Sequence, residues 1–172
     1  MSSATASADY QKGYDAYVKG YDAYVAGDYA TALREWRPLA EQEYSIAQYD
    51  LGVLYANGEG VPQDDEEAVK WYRLAAVQGY AKAQFNLGFM YDKGRGVPQD
   101  DVEAVKWYRL AAEQGDADAQ TNLGNMYEKG IGVPQDDVEA AKWHRLAADQ
   151  GDAYAQFSLG YMYEKGRGVP QD

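Results

Sequence analysis

The sequence repeats itself every 36 residues, and this period restricts the chain to folds in which similar units stack side by side. Residues 80–115 and 116–151 are identical at 27 of 36 positions. Two short motifs recur at the same spacing: Ala-Gln at 47–48, 83–84, 119–120 and 155–156, and Val-Pro-Gln-Asp starting at 61, 97, 133 and 169. A period of this length is typical of helical repeat arrays, in which each unit contacts only its neighbours.

Each unit begins with a predicted helix, called helix A below. Between Ala81 and Lys93 the apolar residues recur at helical spacing, and a Gly-Arg-Gly-Val-Pro segment then breaks the pattern. Gly94 is the predicted C-terminal cap, because glycine tolerates the positive φ that ends such helices. Gly88 returns at 52, 124 and 160, which implies that a neighbouring helix approaches closely there. The core face of helix A is predicted to consist of Ala83, Leu87 and Met90.

A second helix, helix B, follows the loop in each unit. Asp100 is its predicted N-cap, and Glu103 three residues later completes an aspartate version of the capping box. Helix B is predicted to end at Gln114, before Gly115. Its apolar face is predicted to consist of Val102, Val105, Tyr108, Ala111 and Ala112. The chain is thus predicted to be all-α, a stack of antiparallel helix pairs.

The two ends of the chain depart from the repeat. Residues 1–43 are predicted to hold an N-terminal extension and an atypical capping helix pair, in which the heptad 14–20 returns as 21–27 and lengthens the first helix by about two turns. The repeats are predicted over 44–172, as units 44–79, 80–115, 116–151 and a partial unit 152–172. In the partial unit Leu159 and Met162 are expected to be uncovered on one side. Two explanations of this uncovered side stay open: the chain is truncated, or it associates with another copy through its C-terminal end.

The unit of residues 81–115 begins Ala-x-Ala-Gln-x-x-Leu-Gly-x-Met-Tyr and ends Lys-Trp-x-Arg-Leu-Ala-Ala-x-Gln-Gly. In these motifs it closely resembles the Sel1-like repeat, a relative of the tetratricopeptide repeat. The resemblance covers about residue 44 to the end, and the opening helix pair looks more like a tetratricopeptide unit. It implies a right-handed α/α solenoid that serves as a bacterial adaptor or binding scaffold without shared catalytic residues. Some cysteine-rich relatives are linked to β-lactam binding, which is not transferred to this cysteine-free chain.

Helix positions that vary between units are candidates for a binding surface, because residues that contact the next unit must repeat. Phe85 and Phe89 occupy two such positions, at i and i+4 on one face of helix A. By the resemblance, helix A lines the concave side of the solenoid. The predicted partner-binding stripe of aromatic anchors and small polar groups comprises Tyr49, Asp50, Val53, Phe85, Asn86, Phe89, Asn122, Asn125, Phe157 and Tyr161. The alternative, that its aromatic residues only pack against the next helix A, stays open.

Composition argues against several classes of function. The net charge of −12 repels nucleic acids and anionic membrane surfaces, and no run of residues is apolar enough to cross a bilayer. The chain has no Cys and a single His, which excludes thiolate zinc sites and most hydrolase constellations. His144 takes the place of Tyr72 and Tyr108, so a half-buried aromatic position is expected. The paired aspartates at 64–65, 100–101 and 136–137 lack the pattern of a calcium loop. No metal or cofactor is expected.

The sequence therefore favours a non-enzymatic module that binds a protein or peptide on its helix-A stripe, with a bias toward basic partners. An immunity protein that neutralises a secreted toxin, such as a phospholipase effector, is the alternative. A glycan hydrolase is disfavoured, because the acids recur at helix caps and surfaces instead of as a converging pair. The start of the chain is not an intact signal sequence. Localisation is left open, as periplasmic or secreted if a signal peptide has been removed and cytoplasmic otherwise.

Overall fold

The structure is a computed structural model that describes residues 3–169, with side chains from residue 11 onward. Every regular element in this range is an α-helix, which confirms the all-α prediction. Contacts divide the chain into two compact units, residues 1–78 and 79–172. They are called the first unit and the second unit from here on, and each contains more than one helix pair of the repeat. The first unit contains α1 (Ser3–Val25), α2 (Tyr29–Glu41), α3 (Ser45–Asn57) and α4 (Asp65–Val77). The second contains α5 (Ala81–Lys93), α6 (Asp101–Glu113), α7 (Ala117–Lys129), α8 (Asp137–Asp149) and α9 (Ala153–Lys165).

Consecutive helices within each unit pack against one another, and the short loops between them make neighbours antiparallel. Helices α3, α5, α7 and α9 are the helices A of the repeat, and α4, α6 and α8 are the helices B. Helices α1 and α2 form the N-terminal pair. From Pro170 on, the last Val-Pro-Gln-Asp motif lies outside the described residues, as do the first two residues of the chain and the side chains of 3–10.

The ends of helix A follow the prediction. Helix α5 runs from Ala81 to Lys93, and Gly94 takes a left-handed conformation with φ of 62°. Its backbone N–H donates to the carbonyls of Met90 and Tyr91. These bonds satisfy the last carbonyl groups of the helix, which have no partner within it.

The start of helix B confirms the N-cap but not the full capping box. Asp100 Oδ1 accepts a hydrogen bond from the Glu103 backbone N–H at 3.0 Å. The Asp100 N–H, however, donates to the Tyr91 carbonyl at 3.1 Å, because the loop folds back onto the end of α5. The Glu103 carboxylate instead pairs with Lys106. The prediction for Val102 was also wrong: this side chain is exposed on α6.

Close approach of a neighbouring helix was predicted at all four repeated glycines of helix A, and the structure shows it at three of them. A Cβ added at Gly52, Gly88 or Gly124 would lie 2.6–2.9 Å from a ring atom of the following helix B. Those rings belong to Tyr72, Tyr108 and His144. Gly160 is different, since no atom lies within 4 Å of a Cβ built there. No described helix follows α9 to supply the ring.

The Ala-Gln motif places a buried amide between three helices. In the first unit, Gln48 Nε2 donates to the Ala40 carbonyl of α2 at 3.1 Å, and Gln48 Oε1 accepts from Gln78, just after α4, at 2.7 Å. In the second unit, Gln120 makes the same pair of bonds with Ala112 and Gln150. The preceding alanine of each motif is fully buried, which lets the helices approach closely. Helices α3 and α7 are thereby bonded to the helices on both sides of them within their units.

The core lies along the helix faces predicted for helix A. Ala83, Leu87 and Met90 are all buried. The expectation that Met162 is uncovered was wrong, because α9 packs it fully buried against Ala140 and Ala141 of α8. Leu159 is half-buried against the same cluster.

The N-terminal pair uses the same glycine device with a different ring. A Cβ on Gly20 of α1 would overlap Trp36 Nε1, so the indole of α2 fits only against a glycine. Trp36 Nε1 donates to the Tyr17 carbonyl at 3.2 Å. Helix α1 has 23 residues against 13 in every other helix, which agrees with the lengthening expected from the duplicated heptad.

Substituting the repeated glycines by alanine should have opposite effects in α5 and α9. Gly88→Ala places a methyl group 2.9 Å from the Tyr108 ring, and we expect a loss of about 1–2 kcal/mol from overpacking. Gly160→Ala meets no atom within 4 Å and should gain about 0.5–1 kcal/mol of helix propensity. Urea unfolding followed by circular dichroism measures both. Equal effects of the two substitutions would contradict the close approach at Gly88.

Replacing the buried amide should also destabilise the chain. Gln120→Leu removes two hydrogen bonds in a buried position, and we expect a loss of about 1–3 kcal/mol in the free energy of unfolding. Gln156→Leu is the matched control, since Gln156 occupies the same place in α9, is exposed, and donates to the Ala148 carbonyl. The control should cost less than half as much in the same urea titration. A control as costly as Gln120→Leu would show that burial is not the cause.

Candidate functional site

In the first unit, three residues of the predicted stripe lie on α3. Tyr49, Asp50 and Val53 lie on the same side of this helix, and each is half-buried. The Tyr17 hydroxyl of α1 donates to Asp50 Oδ2 at 2.9 Å. The Tyr49 ring lies 5.9 Å from that of Tyr72, tilted by 39°. The three stripe residues form one wall of a cavity of about 180 Å³ that aromatic residues of α1 and α2 complete.

In the second unit, Phe85 and Phe89 on α5 belong partly to the core. Both rings are half-buried and pack on the buried cluster built from α6, α7 and α8. The Phe85 ring lies 5.7 Å from that of Tyr108, and Lys93 Nζ lies 5.9 Å from the centre of the Phe89 ring. Each phenylalanine thus has a packing role and an accessible part.

On α9 the equivalent positions are exposed. Phe157 is 73% exposed and Tyr161 is 43% exposed. They lie one helical turn apart on one face, and Lys165 Nζ lies 5.6 Å from the centre of the Tyr161 ring. The difference from α5 has a simple cause, because the described residues include no further helix pair that packs over this side of α9.

The predicted amide residues of the second unit are half-buried at the surface of α5 and α7. Asn122 and Asn125 line a cavity of about 160 Å³, whose wall also includes the side chains of Lys93 and Lys129. The Oδ1 atom of Asn125 is buried and accepts no hydrogen bond from the described residues. Asn86 is half-buried on α5 and does not line this cavity. The cavity therefore offers polar groups to a ligand, with Asn125 still lacking a partner.

The hydroxyl of Tyr108 sits at the edge of this cavity. It donates to Asp92 Oδ2 at 3.4 Å. Burial, with the nearby Asp92 carboxylate, raises the pKa of Tyr108 well above its usual range. The group is therefore a neutral hydrogen-bonding phenol at any physiological pH.

Arg167, which the sequence analysis missed, fixes the loop after α9. Its guanidinium donates to both Asp137 carboxylate oxygens, at 2.8 and 3.1 Å, and to Glu128 at 3.2 Å. The hydrogen bonds from Arg167 lower the pKa of the Asp137 carboxyl group. The Gly-Arg-Gly segment at 166–168 that carries this arginine has positive φ at both glycines. Acids at 128 and 137 were the only sequence signal for this contact.

His144 is fully buried, and the expectation of a half-buried position was wrong. Its ring packs against Gly124, and Nε2 lies 3.8 Å from Glu128 Oε2, too far for a hydrogen bond. Neither ring nitrogen has a hydrogen-bond partner among the described residues. Burial lowers the pKa of His144, against the opposing effects of Glu128 and Asp152. The imidazole is therefore neutral in the fold at neutral pH.

This burial should make stability depend on pH. Unfolded chains protonate histidine near pH ~6.5, whereas the folded chain holds the pKa of His144 lower. The unfolded state then binds more protons, so the free energy of unfolding should fall as pH drops from 7.5 to 5.5, by up to about 1.4 kcal/mol per pH unit below the unfolded pKa. His144→Tyr, which copies the Tyr108 position, should remove most of this loss in urea titrations. Parallel losses in both proteins would contradict the assignment.

Within residues 11–169, no three His, Asp or Glu side chains converge in a way that could hold a metal ion. Of the helices described, none is both long and apolar enough to cross a membrane.

The comparisons with known proteins agree on one repeat type. The family model of the Sel1 repeat matches residues 45–80, 81–116, 117–152 and 153–172. A search of curated proteins gave no match.

Solved structures show the same fold. A Sel1 repeat protein from Oxalobacter formigenes is 43% identical, with a TM-score of 0.87 over 91% of this chain and 64% of that chain. A protective antigen present in uropathogenic Escherichia coli strains, which displays an SLR fold, is 44% identical, with a TM-score of 0.89 over 97% of this chain and 37% of that chain. This chain thus spans less than two thirds of the length of either protein.

A more distant structure agrees in fold alone. Helicobacter pylori cysteine rich protein B is 20% identical, with a TM-score of 0.60 over 74% of this chain and 92% of that chain. Together the three structures confirm the helical-repeat solenoid class predicted from the sequence.

Proposed function

Because the chain belongs to the Sel1 repeat family, we propose that it is a scaffold that holds a protein or peptide partner on the helix-A stripe. Sel1 repeat proteins are generally non-catalytic scaffolds for protein–protein interactions. For this chain we propose in addition which surface recognises the partner and by which chemistry. The proposed surface is the predicted stripe, with its first-unit residues on α3 and its second-unit residues on α5, α7 and α9.

The observation that carries the proposal is the recurrence of accessible aromatic side chains along the stripe, on α3, α5 and α9. Phe157 and Tyr161 present large apolar surfaces to solvent from a packed helix. Aromatic residues are enriched among the side chains that supply most of the energy at protein interfaces. A helix holds them in place beforehand, so little conformational freedom is lost when a partner binds.

Charge along the stripe differs between the two units. In the second unit, each of the three helices A ends in a lysine, at 93, 129 and 165. Two of these form ion pairs with the acid that precedes them, Lys93 with Asp92 and Lys165 with Glu164. In the first unit, α3 ends in Ala56-Asn57 at the same place, and its stripe carries Asp50. The preference for basic partners that we propose therefore rests on the first unit and on the net charge of −12.

Removing the exposed pair should weaken partner binding without unfolding the chain. We expect Phe157→Ala with Tyr161→Ala to lower affinity at least tenfold, about 1.4 kcal/mol, because two anchors are lost. Val138→Ala with Leu146→Ala is the matched control, since both side chains are exposed on the neighbouring helix B. Affinity capture from extracts of the native host, with quantitative mass spectrometry, identifies proteins lost only in the first variant, and calorimetry with the purified partner gives the affinity.

The same comparison separates the alternatives. A captured toxin whose activity the chain inhibits would support the immunity function, and an envelope or signalling protein would support an adaptor. Self-association through the C-terminal end would appear as a concentration-dependent mass that the Phe157→Ala and Tyr161→Ala substitutions abolish. Equal capture by both variants and the wild type would overturn the assignment of the stripe.

A further inference from the structure

One cavity of the first unit is an aromatic cage with an acidic wall. Helices α1, α2 and α3 each contribute to it, and its volume is about 180 Å³. Its lining consists of Tyr21, Tyr24, Trp36, Tyr49, Asp50 and Val53. Four of these six residues are aromatic, one is a carboxylate, and none is basic. The three cavities lined by Lys12 and Glu35, by Tyr14 and Ile46, and by Asp92 and Asn122 do not combine several rings with an acid in this way.

The rings of the cage are held in place before any ligand arrives. Trp36 forms its floor, with only 2% of the residue exposed. Its indole is stacked on Tyr17 at 6.0 Å and lies 5.7 Å from Tyr24, while its N–H is bonded to the Tyr17 carbonyl. Tyr21 is 52% exposed and stands at the opening. A rigid floor and an accessible rim are what a preformed site for a small head group requires.

The charges around the cage are negative. Asp50 lies in the wall, positioned by its hydrogen bond from Tyr17. The Tyr24 hydroxyl interacts with Glu59, and burial together with this carboxylate raises the pKa of Tyr24. Glu59 Oε2 is itself buried and accepts no hydrogen bond from the described residues. Glu59 does not line the cage itself, so its charge acts on the cage through Tyr24.

We propose that this cage binds an organic cation, a guanidinium or alkylammonium head group. The faces of aromatic rings carry negative potential and attract cations, and grouped rings are a known way to hold ammonium groups. Asp50 adds a full charge to this attraction, whereas an anion would meet only repulsion. The cavity is smaller than the ~300–1,000 Å³ of pockets for drug-sized ligands, so only a head group enters.

The cation has two sources, an arginine or lysine side chain of a protein partner or a free small molecule. The first source rests on the proposed function and gives the first unit its preference for basic partners. The second does not depend on it. The chemistry is the same in both cases, so free probes test the cage by itself.

The test is a titration of the full chain with matched charged and neutral probes. Choline and N-acetyl-arginine amide represent the two sources, and 3,3-dimethylbutan-1-ol is a neutral isostere of choline. Nuclear magnetic resonance reports saturable shifts of the tyrosine and Trp36 ring signals. We expect a charged probe to bind with an affinity at least tenfold above that of the neutral isostere. Equal binding of choline and its isostere, or no saturable shift with any charged probe, would overturn the proposal.

Two variants locate the site, and a third serves as the control. Tyr21→Ala removes an exposed ring of the rim, and Asp50→Asn removes the charge while it keeps an acceptor for Tyr17. Each should weaken the charged probe at least fivefold with unchanged helicity. Tyr14→Ala is the matched control, because Tyr14 is the counterpart of Tyr21 in the duplicated heptad, is similarly exposed and lies outside the cage. An equal loss with Tyr14→Ala would place the binding elsewhere.

Partner capture with the same variants separates this inference from the proposed function. If Tyr21→Ala weakens binding of both the probe and the partner, the result supports the cage and the proposed function together, with the partner as the source of the cation. Loss of the probe alone supports a small-molecule cage and leaves the interaction stripe to α5, α7 and α9. Loss of the partner with normal probe binding would overturn the cage at these residues and retain the stripe.

Discussion

The stacking within each unit depends on a buried amide of helix A, that of Gln48 in α3 and that of Gln120 in α7. Gln48 and Gln120 each donate to the helix before them and accept from a glutamine after the helix that follows. A buried amide that lost these partners would cost about 1–3 kcal/mol for each unsatisfied group. Helix A is therefore held in the register at which both bonds form. The glycine four residues further along, which accepts the ring of helix B at close contact, selects the same register through sterics.

A fixed register decides which residues are left for function. Once the amide and the glycine face inward, the variable positions of helix A lie along the side that meets the next helix pair. Phe85 and Phe89 show the result, because their rings are shared between core and surface. Phe157 and Tyr161 occupy the same positions and are exposed, since no described helix covers them. The same repeat position is therefore half-buried or exposed according to the helices that pack beside it.

The N-terminal pair departs from the repeat and creates a different environment. Trp36 replaces the tyrosine or histidine whose ring meets the helix-A glycine elsewhere, and the longer α1 adds Tyr21 and Tyr24 beside it. At the matching place in the second unit, the cavity beside Tyr108 is lined by amides and lysines instead of further rings. Departures from local regularity are often where natural proteins place function, and here the departure collects rings and an acid in one small space.

The sequence alone determined the helix pairs, their caps and the contact at the repeated glycine. These features are local, because a cap, a turn and a helical period depend on residues within a few positions of one another. Tertiary structure decided the rest: the complete burial of His144, the contacts of Arg167, the exposure of Val102 and the ring cage of the first unit. Each depends on residues brought together from separate helices, and spacing along the chain does not encode how much of a side chain its neighbours cover. The stripe lies between these two cases, since its positions were readable from the repeat while its accessibility was set by packing.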